Sequence, residues 1–450
     1  MLTIQKVPIQ LGLFLGFKDQ LSQKHAIYKL ANLIDWQRFD TAFAPLYCSD
    51  NGRPAKPIRL MVALLILKNL RNLSDENLVE QWSENLYYQY FSGAHSFQCT
   101  IPCVPTELIA FRKRIGEAGL ELILQESIRV NKPPNDTPNV PLIISVDTTV
   151  QEKNITYPTD DKLYKKIIKK CWKIADKEGI DLRQSYTQTV KKLGHLQRFK
   201  GTKNGGKTAR KASKKIKIIA GRLIRDIAHK LKLSRLGIYL PQLKLYQQII
   251  KQQRSDSNKI YSIHEPNVKC YSKGKEHKKF EFGSKVSIAI EQQTGIIVGA
   301  INFTQTLHDS KTIPDVLEQV ERLTGKQANE VFVDRGYRGI NVYKNSKIYV
   351  PKPDKNITKT KRNKHSKRAA IEPVIGHLKS NYRLCRNYLK GIDGDNMNVL
   401  MAAIGMNFKR VINLLCKEAK IGWQLTLIIF FGVSWKYYAQ NVKKGFLRDD

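Results

Sequence analysis

LIISVDTTV, residues 142–150, decides how this chain is read. It is a short apolar run interrupted by Asp147, and it follows the Pro-rich breaker KPPNDTPNVP (132–141), so it reads as a buried strand. Two further acids stand in comparable isolation. Asp334 lies in NEVFVDRGYRG (329–339), another short buried strand, and Glu372 lies in KRAAIEPVIGHLK (367–379), a basic helical stretch. A carboxylate in an apolar strand is costly unless it is paired or holds a cation, so three that converge would make a divalent-metal site. Each acid also has an ordinary reading: an Asp at a strand end caps a turn, and a Glu on a basic helix pairs with its solvated neighbours. Asp160, Asp161 and Asp309 are rival acids nearby.

Strand signals resume in KFEFGSKVSIAIE (279–291), where Val286, Ile288 and Ile290 alternate with smaller or polar residues. QQTG (292–295) then turns the chain into IIVGAINF (296–303), an apparent hairpin. SKTIPDVLEQVERLTG (310–325) predicts a helix opening near Ser310 or Thr312 and closing at Gly325. The strand of Asp334, the strand KIYV (347–350) and the helical region of Glu372 follow. That order is the order of an α/β ribonuclease H-like core. In such a sheet Asp147 lies on the central strand, Asp334 lies near the C-terminal end of its neighbour, and Glu372 reaches across from the helix. Hard oxygen donors with open positions suit Mg²⁺ or Mn²⁺. Two such ions about 3.5–4 Å apart would activate a water or a 3′-hydroxyl beside a phosphodiester and stabilise the leaving oxygen, with no organic cofactor.

The rest of the chain points to a polyanion. Lys and Arg outnumber Asp and Glu 77 to 39 in 450 residues, a formal charge of +38. A field of that size draws nucleic acid through phosphate contacts and counterion release. A polybasic membrane binder would instead carry a lipid anchor or an amphipathic anchoring helix, and none is evident. Seven scattered cysteines suit a reducing cytosol better than a disulfide framework. MLTIQKVPIQLGLFLGF (1–17) is a poor signal peptide, and IGWQLTLIIFFGVSW (421–435) is short for a bilayer span, reading instead as a buried helix or strand pair. The expectation is a cytoplasmic, nucleoid-associated protein with no membrane partner.

Five segments are expected. Residues 1–135 form an all-helical N-terminal DNA-binding or dimerisation domain: a buried helix opens at Pro57, the next is capped by Ser74, and a third begins after Pro105 and carries Arg112, Lys113 and Arg114 as candidate phosphate contacts. Residues 136–159 begin the catalytic core. Residues 160–254 are a basic, mostly helical insertion after the first core strand. Within it, 191–217 holds eleven Lys or Arg and no acid, so Lys207 and Arg210 are candidate DNA contacts and the block is either a disordered arm or a phosphate-tracking surface. Residues 255–390 complete the core and 391–450 form a helical tail.

At these residues the chain resembles the DDE transposases of bacterial insertion sequences, in the group related to insertion sequence five. The resemblance spans roughly residues 50–415: RPAKPIRLMVALLILKNLRNLSDENLVEQW, PTELIAFRKRIG, DTTVQEKNITYPTDDKLYKK, YSIHEPNVKCYSKGKEHKKFEFGSKVSIA, VFVDRGYRG and RAAIEPVIGHLKSNYRL occur in order. It implies that Asp147, Asp334 and Glu372 bind the catalytic metals. The superfamily surrounds its glutamate with a Tyr, an Arg and a Lys. Here Arg368, three residues, Glu372, six residues and Lys379 fit, while His365 stands at the Tyr position. In a continuous helix Arg368 and Lys379 would share the face of Glu372 and hold phosphates. Pro373 argues that the helix starts there instead, leaving Arg368 in the preceding loop. The resemblance further implies double-stranded DNA partners (terminal inverted repeats and target DNA) and a homodimer or higher assembly in a synaptic complex. A non-catalytic DNA-binding derivative and a general metal-dependent nuclease are the alternatives.

Other signals carry less. GTKNGGKT (201–208) matches a phosphate-loop pattern, but KKLGHLQRFK precedes it where a core strand is required. His95, Cys99 and Cys103 lack a fourth zinc ligand. Tyr87, Tyr88, Tyr90 and Phe91 read as core or as a base-stacking surface.

Overall fold

The apolar run around Asp147 becomes β1 (Leu142–Glu152), the middle of a seven-stranded mixed sheet. The computed structural model describes residues 17–48, 54–132, 140–202, 205–253, 255–272, 279–351 and 358–431. On one side β1 pairs antiparallel with β3 (Phe280–Glu291), which in turn pairs antiparallel with β2 (Lys269–Ser272) and β4 (Ile297–Phe303). On its other side β1 is parallel to β5 (Ala328–Phe332). Beyond β5 come β6 (Val342–Tyr343) and β7 (Ser346–Tyr349), the latter parallel to β5. The hairpin turns at Gly295, whose φ of 70° suits a residue without Cβ. At Gly283 the strands approach so closely that a Cβ would stand 1.8 Å from the Gln151 carbonyl oxygen, so no other residue fits there.

The N-terminal helices are α1 (Phe17–Gln20), α2 (Ala26–Leu33), α3 (Trp36–Phe43), α4 (Ile58–Leu70), α5 (Asp75–Glu84), α6 (Leu86–Phe91) and α7 (Pro105–Arg129). The expected starts hold: Pro57 precedes α4, and the Ser74 side chain accepts the Asn77 N–H at 3.1 Å to cap α5. The aromatic cluster is packing. Tyr87 stacks on His25 and Tyr90 on Tyr28, while Tyr88 and Phe91 are buried.

Between β1 and β2 lie α8 (Asp160–Glu178), α9 (Thr187–Leu196), α10 (Gly205–Lys230) and α11 (Leu233–Lys251). They enclose a hydrophobic core of their own, built on Ile167, Ile168, Ile216, Leu223, Ile227 and Tyr246. The basic block 191–217 is therefore largely helical: Ala209, Ala212 and Ile216 point inward while Lys207, Arg210, Lys211, Lys214 and Lys215 stay exposed. A helical turn at Gln197–Gly201, not a strand, precedes the GTKNGGKT stretch, whose Lys203 and Asn204 lie outside the described residues.

α12 (Ile313–Thr324) links β4 to β5 and ends at left-handed Gly325, as its sequence predicts. α13 (Lys359–Arg368) and α14 (Ile371–Asn381) are separated by a two-residue break at Ala369–Ala370, where the ring of Pro373 would crowd the Ala369 carbonyl of a continuous helix, and α15 (Gly391–Phe431) follows. α15 is the helix expected from residue 391, and it is built into the core. It packs on α4, α7 and β4, and Gly405 lies against Asn69 of α4 so closely that a Cβ would meet its backbone at about 3.0 Å. One continuous core thus joins the N-terminal helices, the sheet and α15. Gly391–Lys417 is the one stretch among the described residues long and apolar enough to cross a membrane, and 61 % of its apolar 18-residue window is buried against the protein, as in a core helix. The segment 421–435 is helical as far as Phe431; the rest lies outside the described residues.

Candidate active site

Register brings the two aspartates together. In the parallel pair β1/β5, Ser145 stands opposite Phe332, so Asp147 and Asp334, each two residues further on, lie side by side where β5 stops. Asp334 accepts the Gly336 N–H at 2.8 Å and caps a short 3₁₀ turn, Arg335–Tyr337. Asp147 accepts the Thr148 N–H at 2.7 Å. Burial pushes the Asp147 carboxyl up to about 6, and the charges of Asp334 and Asp309 push the same way; the Thr148 amide and Arg368 pull against them.

Asp309, a rival in the sequence, joins this group. It arrives from the loop after β4 and accepts the Thr148 hydroxyl at 2.9 Å and the Lys285 ammonium at 2.7 Å. Tyr337 lies beneath, fully buried, its phenol held far above its usual range by burial and then by the charges of Asp147, Asp309 and Asp334. Neither Lys285 nor Tyr337 carries a sequence signal for this site, because their placement follows from strand pairing and loop path.

Glu372 does not reach across as expected. Its side chain is 64 % exposed and faces Arg368 at 3.6 Å. The helix break explains this: Glu372 sits in the first turn of α14, while Arg368 ends α13 and lies close enough to Asp147 to lower its pKa. Lys379 lies 3.9 Å from buried Glu281 on β3. The side chain of His365 lies outside the described residues.

Of the proposed DNA contacts, Lys113, Arg114, Lys207 and Arg210 are exposed, with Arg114 stacked over Tyr47 at 4.2 Å. Arg112 is a correction. It is 2 % exposed and donates twice to Asp75 at 2.8 Å, with Lys68 on the same carboxylate at 2.6 Å, so it is an internal counter-ion and not a phosphate contact. Lys200, Arg210, Lys214, Lys217 and Lys259 line a cleft of about 550 Å³ beside Asp160 and Asp161. Those two acids open α8.

The acids near the end of β1 supply the donor chemistry a divalent ion needs but not a closed set of ligands. The donors are hard oxygens, and Gly336 packs closely on them: a Cβ there would stand 3.0 Å from both Asp309 Oδ2 and Asp334 Oδ1. Among the described residues, no three His, Cys, Asp or Glu side chains stand close enough to hold an ion as they are. His95 and Cys99 are exposed and Cys103 is buried, so they do not gather around a metal.

A ribonuclease H-like sheet with paired aspartates at the end of its central strands is the framework of a phosphodiester-cutting enzyme, and the comparisons identify which kind. Residues 16–114 match the family described as Transposase domain (DUF772), and residues 248–408 match the family described as Transposase DDE domain. A Rhizobium meliloti protein, "Uncharacterized protein ORF8 in nfe locus", is 42 % identical over 181 residues, which make up 39 % of this chain and 87 % of that protein. No solved structure matches. The chain belongs to the DDE transposases, DNA-acting enzymes that depend on divalent metal.

Proposed function

We propose that this transposase belongs to the group related to insertion sequence five, binds the terminal inverted repeats of its element, and cuts and joins DNA strands at Asp147, Asp334 and Glu372. The observation that carries the reading is the adjacency of Asp147 and Asp334 at the end of the parallel strand pair. Mg²⁺ or Mn²⁺, two ions in the full assembly, would supply the charge that activates a water or 3′-hydroxyl and stabilises the leaving oxygen. Asp147 and Asp334 hold their oxygens at the floor of the site through backbone N–H groups, so they need no rearrangement when the substrate arrives. Arg368 stands between Asp147 and Glu372, where a scissile phosphate would compete for its guanidinium. That exchange frees Glu372 to turn inward. Lys379 supports the neighbouring phosphate.

The insertion helices 160–254, with Lys207 and Arg210 on their exposed basic face, and α7, with Lys113 and Arg114, track the DNA backbone. Two such chains pair two element ends, inside the bacterial cytoplasm at the nucleoid. The test is strand cleavage of a labelled duplex carrying the terminal repeat, with Mg²⁺, Mn²⁺ or EDTA, by the wild type, Asp147→Ala and Glu372→Ala. Metal-dependent cuts at the repeat end, lost in both variants, are expected. Tight repeat binding with no cleavage by wild type would instead define a non-catalytic derivative.

A further inference from the structure

Glu281, near the start of β3, carries a carboxylate at a position only 5 % exposed. The backbone around it is well fixed. Tyr271 of the edge strand β2 stands opposite, the neighbouring Phe282 packs against the rings of Tyr157 and Tyr261 at 5.4 and 5.2 Å, and Gly283 lies tight against the Gln151 carbonyl. The one ion pair that Glu281 makes among the described residues is with Lys379 of α14, Nζ to Oε1 at 3.9 Å. Its other oxygen, Oε2, is buried with no hydrogen-bond partner among them.

One long ion pair does not offset the desolvation of a buried carboxylate, and an apolar side chain of the same size would pack there at less cost. What the acid contributes is therefore the place it gives Lys379. Leu378 is fully buried and pins α14 to the core, while the Lys379 side chain is 27 % exposed, so an incoming phosphate can reach the ammonium from its open side. Seven residues make about two helical turns, so Lys379 shares a face of α14 with Glu372. A lysine left in solvent samples many rotamers; one tethered to the sheet has lost that freedom before the substrate arrives.

We propose that Glu281 is a positioning residue of this transposase: from β3 it holds the Lys379 ammonium, and with it the face of α14 that carries Glu372, where a DNA phosphate arrives. The proposal rests on the reading of Lys379 as a phosphate support. It explains why an acid is kept in a buried strand position with half of its carboxylate unpaired.

The test is repeat-end cleavage by the full chain with Mg²⁺ at saturating DNA, with duplex affinity and thermal melting measured on the same proteins. Glu281→Met should cut about ten-fold more slowly, with affinity for the repeat duplex within about two-fold of wild type. It should melt no lower than wild type, because it removes an under-paired buried charge. Lys379→Met should lose at least as much cleavage. The double variant should lose no more than Lys379→Met does, since Glu281 acts through that ammonium. Wild-type cleavage by Glu281→Met while Lys379→Met is slow overturns the proposal, as does a further loss in the double variant. Wild-type cleavage by Lys379→Met overturns the reading of Lys379 instead, so the two failures are told apart. A second measurement needs neither metal nor DNA: acetylation of Lys379 by an activated acetyl ester, followed by mass spectrometry. It should run about two-fold faster or more in Glu281→Met, where the amine is released into solvent, and an unchanged rate overturns the proposal. Glu281→Gln keeps the shape of the side chain and carries both measurements if Glu281→Met does not fold.

Discussion

The sheet-centred core and the helices α8–α11 carry charge in opposite ways. In the core, the charges of Asp334 and Asp309 both bear on Asp147, and Asp75 is locked between Lys68 and Arg112. Each of these charges is partly or wholly out of water and has a specific neighbour. In α8–α11 the apolar residues form a separate core and the bases point out, so each lysine is one of many in a diffuse field. Charge in the first region acts through position, and charge in the second acts through number. Glu372 lies between the two regimes, facing Arg368 across the helix break while exposed to solvent.

The largest expected difference lies in catalysis. Asp334→Asn should reduce repeat-end cleavage about 10³-fold or more with DNA binding kept, whereas no single lysine of α10 should cost a tenth of that. Wild-type cleavage by Glu372→Gln would break the comparison by leaving all the chemistry to the strands.

Next comes the buried ion group. Asp75→Asn leaves Lys68 and Arg112 without their shared carboxylate and should lower stability to urea by about 3–5 kcal/mol. Arg112→Ala should be destabilising for the same reason. If it weakened DNA binding in a fully stable protein instead, Arg112 would belong with the surface bases after all.

Asp147 gives a smaller effect of opposite sign. Its carboxyl is raised to about 6, so the folded state holds the proton that the unfolded chain releases near pH 4. The stability this protonation contributes is full below about pH 4 and is lost as pH rises through about 6. Asp147→Asn should therefore stabilise the metal-free protein by about 2–3 kcal/mol at pH 7.5, with the gain vanishing near pH 4 in chemical denaturation. A gain that did not change with pH would place its cause elsewhere.

On the insertion, Lys207→Ala and Arg210→Ala should each lower the slope of log affinity against log salt by about one, with little loss of stability. Arg368→Gln sharpens the boundary case: the exposed pair with Glu372 contributes under about 1 kcal/mol, so melting should barely move while cleavage falls.

Much of the architecture was legible because its signals are local. Ser74 and Gly325 mark helix ends by their own chemistry, and LIISVDTTV and NEVFVDRG declare strands by length and apolarity. Pro373 signalled a helix start near Glu372, but Arg368 closes a helix of its own instead of lying in a loop. Arg112 was misread because its neighbours Lys113 and Arg114 are exposed, and a helix alternates faces within a single turn. The helical tail was legible as a helix but not in its packing: an apolar helix does not say which surface it will cover, and α15 covers α4, α7 and β4.

By itself, the sequence determined the order of strands and helices, the cationic character of the chain and the strand acids Asp147 and Asp334, because hydrophobic period, breakers and net charge are properties of the chain. Only the tertiary structure decided that Asp309 joins them, that Arg112 is an internal counter-ion and that Glu372 faces Arg368. Those outcomes depend on strand register and on how loops and helices pack over it. Contacts between residues far apart in the chain exist only once that packing has formed.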